Sequence, residues 1–267
     1  MTSRIKLGIL ITGIIYRHPS VLAKIAATLD VLSKGRLFMG IGAAWNKPES
    51  IAYGITFPAI KEWLLRLEET IQIIRKMWTE EPSASFVGKY YRIQNAYCNP
   101  KPIQKPSPSI MIGGSGEQTL KVVAKYADAC NLSGSPEIVK RKLNILKDHC
   151  KSVGRDYDSI LKTGLYYVVI NGDKEIIEKS IQKNTETKDL FKDVKKAQAI
   201  YETSEYLLRH EEEVKKAQAI YGTSEAVLKQ MLLLEDAGIQ YFIVNLEASR
   251  ELDALDIFVN DIMKKFS

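Results

Sequence analysis

Two glycine-bearing stretches hold the residue types best suited to chemistry in this chain. In "IMIGGSGEQTL" an apolar run ends at Gly113, and Gly114, Ser115 and Gly116 then lead into a helical pattern that begins at Glu117. Residues without a Cβ let successive backbone N–H groups converge, and a helix start adds the positive end of its dipole. That combination suits a phosphate, with Thr119 in the first helical turn as a further donor. In "RLFMGIGAAWN" an apolar run meets Gly40 and Gly42, the kind of strand end where backbone approaches a ligand closely. The spacing is Gly-x-Gly-x-x-Trp with no third glycine, so it is not a dinucleotide fingerprint.

The remaining reactive side chains read as structural. His18 stands before Pro19 at a helix start and is expected to cap it. Cys98, Cys130 and Cys150 are odd in number and lack a Cys-x-x-Cys spacing, which argues against a disulfide framework and a zinc site. Trp63 and Trp78 share a helical stripe with Leu64, Leu67, Ile71 and Ile74, so both are expected in the core. The net charge of +6 would permit nucleic-acid binding. Its lysines alternate with acids, as in "KEIIEKSIQKNTETKDLFKDVKK", so they describe solvated helix faces, and no nucleic-acid partner is expected. The apolar run "LGILITGII" is well short of the ~20 residues that cross a bilayer, so no membrane association is expected. "MTSRIKLGILITGIIYRHP" runs on into a periodic helix and reads as a buried strand, not a signal peptide, which implies a cytoplasmic protein.

These stretches need elements to hold them. Apolar, β-rich runs recur at Ile5–Thr12, Leu37–Gly42, Ser109–Gly113, Ala129–Leu132, Thr163–Ile170 and Tyr241–Leu246. Helical patterns lie between them at 19–32, 63–78, 118–127, 136–153 and 224–237, and a last one closes the chain at 250–266. Nearly continuous apolar strands, each followed by an amphipathic helix, predict an α/β fold with a parallel sheet covered by helices. With 267 residues and 45% hydrophobic composition, a single domain over 1–267 is expected. Residues 47–108 break the alternation with a helix, a hairpin turning at Gly88-Lys89 and a proline-rich loop, an insertion expected over one end of the sheet. "VKKAQAIYETSE" from Val194 returns as "VKKAQAIYGTSE" from Val214, which makes 194–225 a tandem duplication, read as a helical surface segment.

The collinear series "TSRIKLGILITGIIYRHPSVLAKIAATLDVLSKGRLFMGIGAAWNKPESIAYGITFP", "RLEETIQIIRKMW", "GKYYRIQNAYCNPKPIQKPSPSIMIGGSGEQTLKVVAKYADACNLSG" and "GTSEAVLKQMLLLEDAGIQYFIVNL" resembles the bacterial luciferase-like superfamily, most of all its coenzyme F-420-dependent branch. The resemblance implies a TIM (β/α)8-type barrel holding a flavin or deazaflavin at the C-terminal ends of its strands. It implies a non-prolyl cis peptide at Ile9–Leu10 behind the ring, with Thr12 beside it. Gly42, Ala43, Trp45 and Asn46 would line the ring or its side chain, and Gly113, Gly114, Ser115, Gly116 and Thr119 would receive the phosphate. Flavin-type members often carry an arginine where this chain has Ala43, which favours coenzyme F-420 over FMN. The substrate would be a small organic molecule shaped by the inserted loop with Tyr90, Tyr91 and Tyr97, and members are often dimers.

By the same resemblance the chain starts at the family's third strand, without the first two βα units, roughly seventy residues of a barrel of about 250. Those units usually bring the catalytic acid or base, so no catalytic residue is assigned. Six strands would leave the first and last edges open. The function implied is hydride transfer between a deazaflavin and a small organic substrate, impaired in this form. The alternatives are an FMN-dependent monooxygenase using molecular oxygen and a non-catalytic remnant acting as an interaction subunit.

Overall fold

The computed structural model describes residues 2–44, 46–170, 219–246 and 252–266. They fall into two compact units, the first formed by residues 1–130 and 146–160, the second by 131–145 and 161–267.

In the first unit, the strand expected over Ile5–Thr12 is split in two: β1 (Leu7–Gly8) and β2 (Thr12–Gly13). Both run parallel to β3 (Leu37–Gly42), which in turn pairs parallel with β6 (Ser109–Gly113). The register sets Thr12 beside Ile41 and Ile41 beside Ile112, so three strands end level with one another. Between β2 and β3 lies α1 (Pro19–Leu32), which starts with proline at its first turn and has His18 as its cap, the ring accepting from Ser20 N–H at 3.3 Å. It ends where Lys34 and Gly35 take positive φ.

Helix α1 buries Leu22, Ala23, Ala26 and Ala27 on one stripe. After the short α2 (Lys47–Ala52) comes α3 (Ile60–Thr79), whose buried Leu67, Ile71, Ile74 and Trp78 keep the helical period. Each such side chain contributes about 2 kcal/mol on burial. Trp78 adds a bond from its indole N–H to Ala23 O at 2.9 Å, which fixes α3 against α1. The core roles expected for Trp63 and Trp78 hold, at 8% and 2% exposure.

The hairpin β4 (Ala84–Val87) and β5 (Arg92–Ala96) is antiparallel with an irregular register. Its turn hangs on Glu69 of α3, whose carboxylate accepts the N–H groups of Lys89, Tyr90 and Tyr91 at 2.7, 2.9 and 2.9 Å. Gly88 is required there, because a Cβ would run into that carboxylate. Helix α4 (Glu117–Tyr126) follows β6.

The N-terminal ends of β3 and β6 are closed by two carboxylates. Asp30, fully buried in α1, accepts from Ile103 N–H at 2.7 Å, Gln104 N–H at 3.0 Å and Gln104 Nε2 at 2.6 Å, and Gln104 Nε2 also donates to Leu37 O at 2.8 Å. Asp128 accepts from Ile110 N–H at 2.8 Å and pairs with Arg75 at 2.7 Å. Buried Asp30 and half-buried Asp128, each holding several donors, fix the register of the strands they meet.

β7 (Ala129–Leu132) and α5 (Pro136–Val153) each contribute residues to both units. In the second unit, β8 (Leu161–Ile170) pairs parallel with β10 (Tyr241–Leu246) and with β9 (Ala219–Gly222). Asn131 Nδ2 donates to Thr163 Oγ1 at 2.9 Å. Helix α6 (Ser224–Asp236) is capped by Thr223 and closed by Gly238 at φ +112°, and α7 (Leu252–Ile257) follows β10.

The helical reading of 194–225 is corrected at β9. "AIYG" of the second copy is a strand, because its alternating burial fits beside β8 from Tyr167 to Ile170. The first copy lies outside the described residues. No described helix is long and apolar enough to cross a membrane. Among the described residues no cluster of His, Cys, Asp and Glu is arranged to hold a metal.

Candidate cofactor site at the ends of three strands

The C-terminal ends of β2, β3 and β6 are all glycine: Gly13, Gly42 and Gly113. Gly13 and Gly42 are register partners, and a Cβ on Gly42 would lie 3.5 Å from Gly113 O. What the glycines admit is the chain itself. A Cβ on Gly40 would collide with Ile9 O, one on Gly42 with Ile11 Cδ1, and one on Gly113 would stand 2.6 Å from the same methyl. The bulge at residues 9–11 therefore leans over β3 and β6 and takes the volume their side chains would fill. The cis peptide within it is at Leu10–Ile11, one residue later than the expected Ile9–Leu10. Ile9 and Leu10 are exposed, and Thr12 is buried in β2.

Beyond Gly42 the chain passes through half-buried Ala43 to Ala44, which holds φ +79°, a left-handed conformation uncommon for a residue with a Cβ. Trp45 lies outside the described residues. Asn46 caps α2, its Oδ1 accepting from Glu49 N–H at 3.1 Å. Glu49 then accepts from Tyr16 Oη at 2.7 Å. The Tyr16 ring sits over the end of β2, 2.8 Å from where a Cβ on Gly13 would be. Burial and the Glu49 carboxylate both raise its phenol above the ordinary value. This pair ties the loop after β3 to the end of β2.

After Gly113, Gly114 takes φ +114°, where any side chain is strained and a Cβ would come 3.2 Å from Thr119 Cγ2. Gly116 is the N-cap of α4 and supplies no side-chain acceptor. By contrast α1, α2 and α6 are capped by His18, Asn46 and Thr223. A Cβ on Gly116 would find only Thr119 Oγ1, at 3.8 Å, so the space in front of the first turn of α4 is open. A first turn without a side-chain N-cap, a helix dipole and the Thr119 hydroxyl are the features that suit an anion. Glu117 in the first turn partly offsets their positive potential.

The hairpin turn reaches the start of α1. The Tyr91 ring meets His18 edge-on at 5.5 Å, and the Arg66 guanidinium lies 4.7 Å from the Tyr90 ring centre and 5.5 Å from that of Tyr91. His18 is the cap its sequence position implied.

Residues 1–241 match the luciferase-like monooxygenase family. The chain belongs to that family. It is 36% identical over 127 residues to the F420-dependent glucose-6-phosphate dehydrogenase of Kineococcus radiotolerans, covering 47% of this chain and 35% of that protein. Among solved structures it superposes on the coenzyme F420-dependent tetrahydromethanopterin reductase of Methanopyrus kandleri with a TM-score of 0.78 at 21% identity, covering 100% of this chain and 85% of the other. The monooxygenase RslO1 of Streptomyces bottropensis gives 0.74 at 19% identity, covering 100% and 80%. These likenesses establish the TIM-barrel-type α/β fold expected from the sequence. The chain spans about half or less of the curated relatives it matches, 54%, 35% and 48% of their lengths.

In this luciferase-like chain the register of β2, β3 and β6 brings the ends of the strands at Thr12, Gly42 and Gly113 together, and Ala43 follows directly after β3. It forms the turn at Gly114, Ser115, Gly116 and Thr119 directly after them. Asn46 serves α2 as its cap. Sequence reasoning passed over Ile11, whose side chain fills the space of two glycines, and the Tyr16–Glu49 pair. The glycines themselves signalled Ile11: Gly40, Gly42 and Gly113 mark where another segment approaches. Nothing in the sequence signalled Tyr16 and Glu49, which are 33 residues apart.

Proposed function

We propose that this protein is a luciferase-like oxidoreductase that binds a deazaflavin of the coenzyme F-420 type and exchanges a hydride with a small organic substrate. The observation that carries the reading is the open cradle at Gly114–Gly116, which ends in the uncapped first turn of α4. Its chemistry fits a phosphate: convergent N–H donors, no side chain in the way, and a hydroxyl at Thr119. When bound, the deazaflavin supplies the hydride chemistry itself.

The chain's own residues hold and orient. Gly113, Gly114, Ser115, Gly116 and Thr119 take the phosphate. The 9–11 bulge, with its exposed Ile9 and Leu10, offers an apolar backing for a flat ring, and Ala43 and Asn46 border it. Tyr16 and Glu49 keep the loop that carries Ala43 in place. The Tyr90–Tyr91 turn, tied to His18, contributes an aromatic wall for a small organic substrate. Ala43 leaves no cation of its own beside the cradle, which supports a deazaflavin over FMN. The F420-dependent names of the Kineococcus and Methanopyrus relatives point the same way.

The test is a pair of fluorescence titrations, one with oxidised coenzyme F-420 and one with FMN. Tighter binding of F-420 is expected. Tighter binding of FMN with oxygen uptake would replace the reading by an FMN-dependent monooxygenase. Binding of neither would leave a non-catalytic barrel remnant.

A further inference from the structure

The second unit contains a choice between two copies of one strand sequence. Residues 194–205 and 214–225 are identical except that Glu202 stands in the first where Gly222 stands in the second. Both therefore carry Ala-Ile-Tyr, at 199–201 and at 219–221. β9 is the second of them, paired with β8 from Tyr167 to Ile170. The side chains and ladder hydrogen bonds of Ala-Ile-Tyr are the same for either copy, so the strand itself cannot make the choice.

The difference begins where the strand ends. Gly222 takes φ +145°, a conformation that residues with a Cβ rarely adopt, and a Cβ on it would lie 2.7 Å from Ala226 Cβ in the first turn of α6. The first copy has Glu202 and Tyr206 at these two positions, so two Cβ atoms would collide there. Strand and helix form as one piece, because Gln230 Nε2 of α6 donates to Tyr221 O at 3.0 Å and to Ala226 O at 3.2 Å. The buried face of α6 discriminates as well. Its Val227, Met231 and Leu234 correspond to Leu207, Glu211 and Val214 after the first copy. Met231 is 2% exposed, and a carboxylate in its place is costly to bury.

We propose that Gly222 is a selector: together with Ala226 and Met231 it assigns β9 to the second copy and leaves the first as a spare that the edge of β8 does not accept. Use of the first copy would carry twenty residues from before β9 to after it, so one glycine fixes the register of the chain through this part of the sheet. The duplication itself is dispensable. Without it, 171–198 would still join Ile170 to an Ala-Ile-Tyr strand, more than the roughly twelve residues that a parallel crossover needs. The proposal holds whichever cofactor is bound.

Two deletions of equal length test it, each leaving a single copy. Removal of 202–221 joins Tyr201 to Gly222, and removal of 203–222 joins Glu202 to Thr223, so the two chains differ only by glycine against glutamate at one place. The glycine-bearing deletion is expected to keep the circular dichroism spectrum and melting temperature of the parent chain. The glutamate-bearing one is expected to melt lower by about 5 °C or more, or to fail to fold. In the full-length chain Gly222→Glu should lower the melting temperature by a similar amount, because the first copy cannot take over. Equal melting of the two deletions overturns the selector, and so does a glycine-bearing deletion that does not fold. A full-length Gly222→Glu chain that melts like the parent also overturns it, since the first copy would then have replaced the second.

Discussion

The two ends of the β3–β6 pair are built from opposite materials. At the N-terminal ends, Asp30 and Asp128 collect backbone and side-chain donors and leave little to move. At the C-terminal ends, Gly42 and Gly113 carry no side chains, and the N-cap of α4 is Gly116, which makes no side-chain cap bond. One end spends its polar groups on the fold, and the other keeps them available for a ligand. This is the division expected of barrel strands, with stability below and chemistry above. The difference makes a strong claim: substitutions at one end should move stability, and substitutions at the other should move binding.

The largest effect is expected at Gly40, which breaks the simple version of the comparison because it lies toward the binding end yet serves the fold. Its would-be Cβ coincides with Ile9 O, so Gly40→Val should prevent folding outright, read as loss of soluble protein and of the far-ultraviolet spectrum. A well-folded variant would show that the 9–11 bulge can leave β3. Next comes Asp30→Ala at the opposite end. It removes the buried acceptor of the Ile103 and Gln104 N–H groups and should cost about 2 kcal/mol in denaturant unfolding. Its affinity for coenzyme F-420 should be unaltered.

The smallest effect concerns alkaline pH. Tyr157, in the turn before β8, is pushed up to about 12, mainly by burial and then by the nearby Cys130, Asp158 and Cys150. The folded state binds this proton more tightly than the unfolded chain, whose phenol titrates near 10. Its contribution to stability is therefore complete below pH 10 and is lost as pH rises towards 12. Melting temperatures of Tyr157→Phe should fall less steeply over that window than those of the parent chain; equal slopes would contradict the assignment.

Much of this architecture was legible because strands and helices announce themselves by period. The apolar runs at Leu37–Gly42, Ser109–Gly113, Ala129–Leu132 and Tyr241–Leu246 are strands with those bounds, and Pro19–Leu32 is a helix with its expected cap. The phosphate turn was legible for a related reason, since glycines followed by a helix start have few uses. Three things were hidden. The run Ile5–Thr12 is apolar throughout, so nothing in its pattern reveals that residues 9–11 leave the ladder. "AIYG" sits in a repeat whose lysines and glutamates read as helix, and only pairing with β8 makes it a strand. Tyr16 and Glu49 come together because β2 and β3 end level, a fact of register that neither local sequence contains.

The central claim, that the glycine turn before α4 holds the cofactor's phosphate, is tested most directly by titrating coenzyme F-420 into the parent chain and Gly116→Val, with the melting temperature of each recorded. The space at Gly116 is open, so the added side chain should leave the melting temperature unchanged while occupying the cradle. The expected result is affinity at least tenfold weaker, about 1.4 kcal/mol. An unchanged affinity in the folded variant would contradict the account and move the phosphate elsewhere.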